Sequence, residues 1–381
     1  MKRLCFLVIC MSIIMGCSTS TSSTKALVDY VDPNIGTAHC RWFFYTPAAI
    51  PFGMAKLAPS TDAHLGNPGG WQAVGYDFRH TSIEGFANFH EFQVGGVVFA
   101  PTVGELQTVP GELENPDGGY RSRFDKKDEV AAPGYYSVLL KDYGVKAELT
   151  AMKRVGFHRY TYPKTELANL IFDIGNKQGE SGEVKDAEVQ YFEDGRVEGY
   201  VITSPVYVNI YQKGADVRMY FSAVLNKKPV QVGTFVKDVV NPGKHQEKGP
   251  GAGLYMTFST EEQEAVEVKV GLSYTSIENA RFNRETEAAD VTFDQAKKNA
   301  TDVWNESLSR IYVEGGKETD KVKFYTGLFH ALLGRGLASD ANGYYPKNNG
   351  TVGRIALDEE GNPVHQHYNT AVSYTHLRAH E

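Results

Sequence analysis

The chain has 381 residues, a formal net charge of −7 and a pI near 5.9. Hydrophobic residues make up 41% and charged residues 22%, a globular balance with room for one large or two ordinary domains. An acidic chain argues against a phosphate-backbone partner, because neutralising phosphates needs clustered Lys and Arg; no nucleic acid is expected.

At the N-terminus, Lys2 and Arg3 precede an apolar run from Leu4 to Met15. That is the length of a signal-peptide core and too short to span a bilayer. The run ends in Ile14-Met15-Gly16-Cys17 and gives way to a Ser/Thr-rich stretch. A small residue before a Cys at this point resembles the bacterial lipobox, so residues 1–17 are expected to direct export and Cys17 to carry a lipid. Residues 18–25 then read as a flexible tether. Of the four cysteines, Cys5 and Cys10 would leave with the signal and Cys17 would be lipidated, which leaves Cys40 with no intrachain partner.

From residue 26 to about 287 the pattern has period two and is punctuated by turns. Tyr136, Val138 and Leu140 alternate, a turn follows at Asp142-Tyr143-Gly144, and Val145, Ala147 and Leu149 resume the alternation: a hairpin. Asp194-Gly195 sits between two further strand-like runs, a strong hairpin signal. Many short strands with no helical period between them predict a mainly β fold, a large antiparallel β-sandwich. The period then changes. Phe293, Ala296, Ala300, Val303, Trp304, Leu308 and Ile311 follow helical spacing, Thr292 and Gln295 fit a capping box, and Gly315-Gly316 ends the element. A second helix is expected from about Thr319 to Leu333, with Val322, Tyr325, Phe329, Leu332 and Leu333 on one face. Residues 288–335 thus read as a helical linker whose apolar faces lack an obvious partner in the remaining sequence.

Residues 30–104 are the least periodic and the richest in special side chains: Asp32, His39, Arg41, Trp42, Asp62, Trp71, Tyr76, Asp77, His80, Glu84, His90 and Glu91. Loops on a rigid sheet are where binding residues usually sit. Trp71, between Gly70 and Gln72, would make an efficient sugar platform, although a tryptophan fills a core equally well. Adjacent strand residues face opposite sides, so His90 and Glu91 share one site only if the backbone is irregular. No nucleophile elbow, phosphate loop or zinc-protease motif is present. Near the C-terminus, His376 and His380 have the i, i+4 spacing of a metal pair, whereas His365 and His367 read as loop residues near a pocket rather than as ligands.

Five stretches together resemble glycoside hydrolase family 92, the calcium-dependent exo-acting α-mannosidases: Tyr30–Thr37, Ile50–Asp62, Gly75–His90, Pro133–Pro163 and Phe324–Tyr345. The resemblance implies an N-terminal β-sandwich, linker helices and an (α/α)6 barrel, of which residues 336–370 would be only the start. It implies inverting hydrolysis of terminal mannose by a carboxylic acid and a carboxylate base, with calcium helping to distort the sugar ring. It also implies that the acid and base lie in the barrel, so no catalytic residue is expected in this chain. The expected contribution to substrate binding comes from Trp71, His39, Arg41, Asp62, His90 and Glu91, and the calcium ligands are expected mostly beyond residue 370. The stretch His39–Tyr45 departs from the small Gly/His-rich loop of the family, and Asn88 and His90 stand where a His-x-His pair is usual. Residues 371–381 read as translated sequencing-adapter sequence, so the chain is expected to be the inactive N-terminal half of a surface-anchored enzyme acting on mannose-containing glycans. The alternative is a non-catalytic carbohydrate-binding surface lipoprotein.

Overall fold

The computed structural model describes residues 25–38, 46–61, 75–91, 94–176, 183–205, 209, 212–334, 336–347 and 349–368. The first strands are β1 (Ala48–Ala49), β2 (Lys56–Ser60), β3 (Ser82–Ile83), β4 (Gly85–Glu91), β5 (Val94–Val103) and β6 (Ser122–Arg123). Next come β7 (Val130–Ala132), β8 (Tyr135–Leu140), β9 (Val145–Ala151), β10 (Val155–Tyr162) and β11 (Thr165–Asp173). The series continues with β12 (Glu183–Tyr191), β13 (Val197–Ser204), β14 (Val217–Leu225) and β15 (Gln231–Val236). It ends with β16 (Val239–Pro242), β17 (Gln246–Lys248), β18 (Ala252–Thr260) and β19 (Glu264–Ser273).

Eight of these strands form one sheet in the order β1-β2-β4-β5-β11-β18-β15-β16, and nine form a second in the order β17-β12-β13-β14-β19-β10-β9-β8-β7. Their pairings are antiparallel, some made by hairpins such as β8–β9 and others by long connections such as β5–β11 and β14–β19. The predicted turns are where the sequence puts them: Leu140 pairs with Val145 across Gly144 (φ 63°), and Tyr191 with Val197 across Gly195 (φ 90°). Left-handed φ is why glycine serves at both.

The two sheets bury one apolar layer between them. Leu57, Phe86, Phe99, Leu170 and Phe172 from the first sheet meet Tyr136, Leu149, Phe221, Val268 and Val270 from the second. Phe99 lies 4.0 Å from Phe172 and 6.4 Å from Phe221, centroid to centroid, so aromatic contacts tie the layers together. His158 is enclosed in this layer, with Nε2 2.8 Å from Asn88 Oδ1 and Nδ1 2.8 Å from Tyr160 Oη. Burial pushes its imidazole down to about 3, so it is neutral and structural.

Three α-helices are present among the described residues: α1 (Ile277–Ala288), α2 (Phe293–Leu308) and α3 (Glu318–Leu333). α1 contradicts the expectation that period-two structure continues to residue 287. It packs on β14 and β19, capped by Ser276, whose side chain accepts from Asn279 N. The approach is close because β19 offers Gly271: a Cβ there would sit 2.1 Å from Ala280 O. α2 begins with the expected reciprocal capping box between Thr292 and Gln295, and its Phe293, Ala296, Ala300, Trp304 and Leu308 are buried. Val303 and Ile311, expected on the same face, are instead exposed.

The helices do not lack partners. α2 lies against β8, β9 and β10, and α2 and α3 both contact a 3-10 turn at Leu27–Tyr30. Trp304 donates from Nε1 to Ala49 O at 2.7 Å, and its ring lies 4.6 Å from that of Phe329 on α3, tilted by 42°. Together with Leu308, Tyr325 and Leu333 they form a second apolar cluster, against which Leu27 and Tyr30 pack. The N-terminal segment thus supplies the surface that the sequence pattern left unidentified. After α3 a small hairpin forms from β20 (Tyr344–Pro346) and β21 (Val352–Arg354). No helix among the described residues is long and apolar enough to cross a membrane.

Candidate functional site

Segments 39–45 and 62–74 carry most of the expected binding residues, and the described residues that flank them are held by a polar network. Thr61 N donates to Gly75 O at 2.6 Å, closing the base of segment 62–74. Thr61 Oγ1 accepts from Asp77 N at 3.0 Å and lies 2.9 Å from His80 Nδ1. Arg79 donates three times to the largely buried Asp77 carboxylate, from its backbone N and Nε at 2.9 Å each and from Nη2 at 2.5 Å. Phe78 N donates to Thr37 O, which brings the residues before segment 39–45 to the same place. Burial lowers the His80 pKa, with the Asp77 charge acting the other way.

Beneath these residues lies a buried ion pair. Arg121 and Glu84, with side chains 0% and 1% exposed, meet at 3.0 Å. Arg121 also donates to Thr61 O and Ser82 Oγ, while Ser60 Oγ donates to Glu84 Oε1 at 2.7 Å. These hydrogen bonds offset much of the cost of burying the pair, although Arg121 Nε is left without a partner among the described residues. Tyr120, the preceding residue, donates to Asp173 Oδ2 at 2.7 Å. Tyr76 is fixed separately. Its hydroxyl donates to Glu129 Oε1 and accepts from Lys126 Nζ, both at 2.8 Å, and that ammonium lies within 4.9 Å of the rings of Tyr76, Phe78 and Phe124.

A second polar cluster lies where the sandwich meets the segments after α3. Arg154, between β9 and β10 and 4% exposed, donates from Nη1 to Glu287 Oε1 at 2.6 Å, from Nε to Ser339 O at 2.6 Å and from Nη2 to Gln366 Oε1 at 2.8 Å. Its neighbour Asp340 is fully buried and accepts from Asn283 Nδ2 at 2.7 Å and from Thr275 Oγ1. Burial raises the Asp340 pKa, against the hydrogen bonds it receives. Leu337 N donates to Phe52 O, Ala338 N to His367 O, and the His367 ring lies 4.5 Å from that of Tyr345.

Of the sequence-predicted residues, His39, Arg41, Asp62, Trp71 and Cys17 lie outside the described residues, as do His376 and His380. His90 is buried on β4, opposite Gly95 of β5; Glu91 ends that strand, and its side chain lies outside the description. The register separates these two from the base of segment 62–74. Ser60 pairs with Gly85 at the start of β4, and His90 comes five residues, about 17 Å, further along the strand. Phe89, next to His90, lies 5.0 Å from the ring of Tyr274, beside Thr275 of the second cluster. His90 thus belongs to the Arg154 end of the sheet. Arg121, Arg154, Asp340 and Gln366 were not singled out from sequence, and only the Ser339-Asp340 dipeptide after an apolar helix hinted at a buried polar turn. Among the described residues no group of three or more His, Cys, Asp or Glu could hold a metal ion.

The fold and these clusters can be set beside known proteins. Residues 30–273 match the Glycosyl hydrolase family 92 N-terminal domain, and residues 279–379 match the Glycosyl hydrolase family 92 catalytic domain. The structure of the family GH92 alpha-mannosidase BT3965 from Bacteroides thetaiotaomicron is similar over 91% of this chain and 45% of that one, with 28% identity and a TM-score of 0.81. Its complex with mannoimidazole gives 27% identity over 90% of this chain and 44% of that one, with a TM-score of 0.80. The family GH92 inverting mannosidase BT2199 from the same organism shares the fold at 21% identity over 88% of this chain and 44% of that one, with a TM-score of 0.71. The chain therefore spans less than half the length of these solved structures. No curated protein matches it.

Proposed function

The chain belongs to glycosyl hydrolase family 92, and from that premise we propose that its whole protein is an exported exo-acting α-mannosidase. The observation that carries this reading is continuity. One chain matches the family's N-terminal domain and then its catalytic domain, and its fold is similar to that of an α-mannosidase over 91% of the chain. In this reading the substrate is a terminal α-mannoside of a glycan. Cleavage inverts the anomeric centre: a carboxylic acid protonates the leaving oxygen while a carboxylate activates water on the opposite face of the ring. Both carboxyl groups belong to the part of the enzyme that this chain does not span, and the 381 residues alone are inactive. The chain's own residues position: Thr61, Asp77 and Arg121 hold the residues flanking segments 39–45 and 62–74, which contribute to the sugar pocket. Calcium belongs to the whole enzyme in this reading, and no step is assigned to it, since no group of three or more His, Cys, Asp or Glu that could hold a metal ion is found among the described residues. Export and attachment to the outer surface through lipid on Cys17 complete the proposal.

The test is product analysis. The whole protein, supplied with calcium and an aryl α-mannoside, is expected to release β-mannose first, read by proton NMR before mutarotation, and to stop on chelation. Release of α-mannose would exclude inversion. Binding without any release would favour a carbohydrate-binding lipoprotein instead.

A further inference from the structure

The sequence holds two Asn-Gly pairs, Asn342-Gly343 and Asn349-Gly350, and the fold treats them differently. With no Cβ on the second residue, the backbone nitrogen of such a pair is poorly shielded and can attack the preceding side-chain amide. Asn349-Gly350 lies in the tip of the β20–β21 hairpin. Pro346 pairs there with Val352, and Lys347 N donates to Thr351 O at 2.8 Å to close the loop.

At that tip Asn349, Gly350 and Thr351 are exposed. Asn349 Oδ1 accepts twice from Thr351, from the backbone N–H at 3.1 Å and from Oγ1 at 2.6 Å. Both donors sit on the oxygen that gains negative charge when a nucleophile adds to the amide carbon, which is how an oxyanion is stabilised. Gly350 N donates to Lys347 O at 3.0 Å, and a Cβ on Gly350 would meet nothing within 4 Å. An exposed turn bond of this kind opens at little cost, which leaves the nitrogen room to turn toward the side chain.

Asn342 is held the opposite way. Its Nδ2 donates to Asn279 Oδ1 at 2.8 Å, while its Oδ1 is buried and accepts no hydrogen bond among the described residues. Gly343 is buried, its N–H donates to Asp340 O at 2.9 Å, and a Cβ there would lie 3.2 Å from Ile355 O. This pair has neither the donors nor the room.

We propose that Asn349 is a site of spontaneous covalent modification, at which Gly350 N displaces the side-chain amide with Thr351 stabilising the oxyanion. Solvent hydroxide takes the Gly350 amide proton and the bond from Gly350 N to Asn349 Cγ forms. The Cγ–Nδ2 bond then breaks, and the amide nitrogen leaves as ammonia after taking a proton from water. Water opens the resulting succinimide at either carbonyl, giving aspartate or isoaspartate, and nothing is oxidised or reduced. Either product places a negative charge at the tip, and isoaspartate also lengthens the turn that Lys347 and Thr351 close. The proposal does not depend on the mannosidase reading.

The test follows both pairs in the whole protein, kept folded in mildly alkaline buffer, quenched in acid, digested with pepsin and mapped by mass spectrometry. Isoaspartate is scored with a protein isoaspartyl methyltransferase. Asn349 is expected to convert at least about tenfold faster than Asn342 in the folded protein, and at a similar rate to it in concentrated urea. Thr351→Val should slow Asn349 by about tenfold, whereas Thr351→Ser, which keeps the hydroxyl, should react as wild type does. The sign separates the roles: were Thr351 only a brace for the loop, its loss would free the backbone and speed the reaction. The proposal is overturned if the folded protein converts both pairs equally, if Asn349 stays an amide while the unfolded chain reacts, or if Thr351→Val reacts as fast as wild type or faster.

Discussion

Asp173 gives the sharpest test of the fold's electrostatics. It ends β11, is 3% exposed, and accepts from Tyr120, whose ring packs with Ala100, Ile171, Phe235 and Tyr255. Burial pushes the Asp173 carboxyl from 3.8 to about 7, against the hydrogen bonds from Tyr120 and Asn176 and with the Glu84 charge adding to the rise. Between about pH 4 and pH 7 the native state holds a proton that the unfolded chain releases, so stability falls as pH rises through that window. The full difference corresponds to about 4 kcal/mol. Asp173→Asn removes the charge in both states. An amide placed for a carboxyl costs about 1–2 kcal/mol in imperfect hydrogen bonds. The variant should therefore be more stable than wild type by about 2 kcal/mol at about pH 8, and less stable by about 1–2 kcal/mol at about pH 4. Urea unfolding followed by far-UV circular dichroism at the two pH values reads the difference directly. His158, held neutral with its pKa near 3, costs stability as pH falls below about 6.5, but it does so equally in both proteins and cancels. A stability difference of the same sign and size at both pH values would refute the reasoning.

Three further outcomes are expected. Trp304→Ala should cost about 3–5 kcal/mol, since it opens the cluster around Phe329 and removes the bond to Ala49 O, and Trp304→Phe clearly less; a loss under about 1 kcal/mol in urea unfolding would contradict that packing. Arg121→Met should cost about 3–5 kcal/mol by stranding Glu84, and adding Glu84→Gln should recover much of it, a coupling that a double-mutant cycle measures. Gly271→Ala should cost at least about 1–3 kcal/mol, because its Cβ would press on Ala280 O and Arg284, and the loss should show as a lowered thermal midpoint.

The sequence revealed those features that repeat. Alternation in β8 and β9, the Asp194-Gly195 turn and the Thr292/Gln295 box are local signals, and each is found where its pattern lies. α1 was illegible because it has no apolar stripe: its buried side is Ala280, Asn283, Arg284 and Ala288. Small and polar residues suffice there, since Gly271 lets the helix sit almost on the strand and Asn283 bonds Leu272 O at 2.8 Å. The missing partner of α2 and α3 was illegible for another reason. Leu27 and Tyr30 lie in a four-residue 3-10 turn, too short to show any period.

The polar clusters escape sequence reading on different grounds, and those grounds say what they do. Arg154 meets Ser339 across 185 residues and Gln366 across 212, so no spacing rule connects them. Burying such groups is expensive and favours a single arrangement over near alternatives only when every member is satisfied. Arg154 with Glu287, and Asp340 with Thr275 and Asn283, meet that condition on both sides of residues 274–278, the gap between the two family domains. The division between those domains is therefore one of sequence and not of mechanics. A cut after Thr275 would strand Asp340 without Thr275 or Arg154 without Glu287, whichever half was kept.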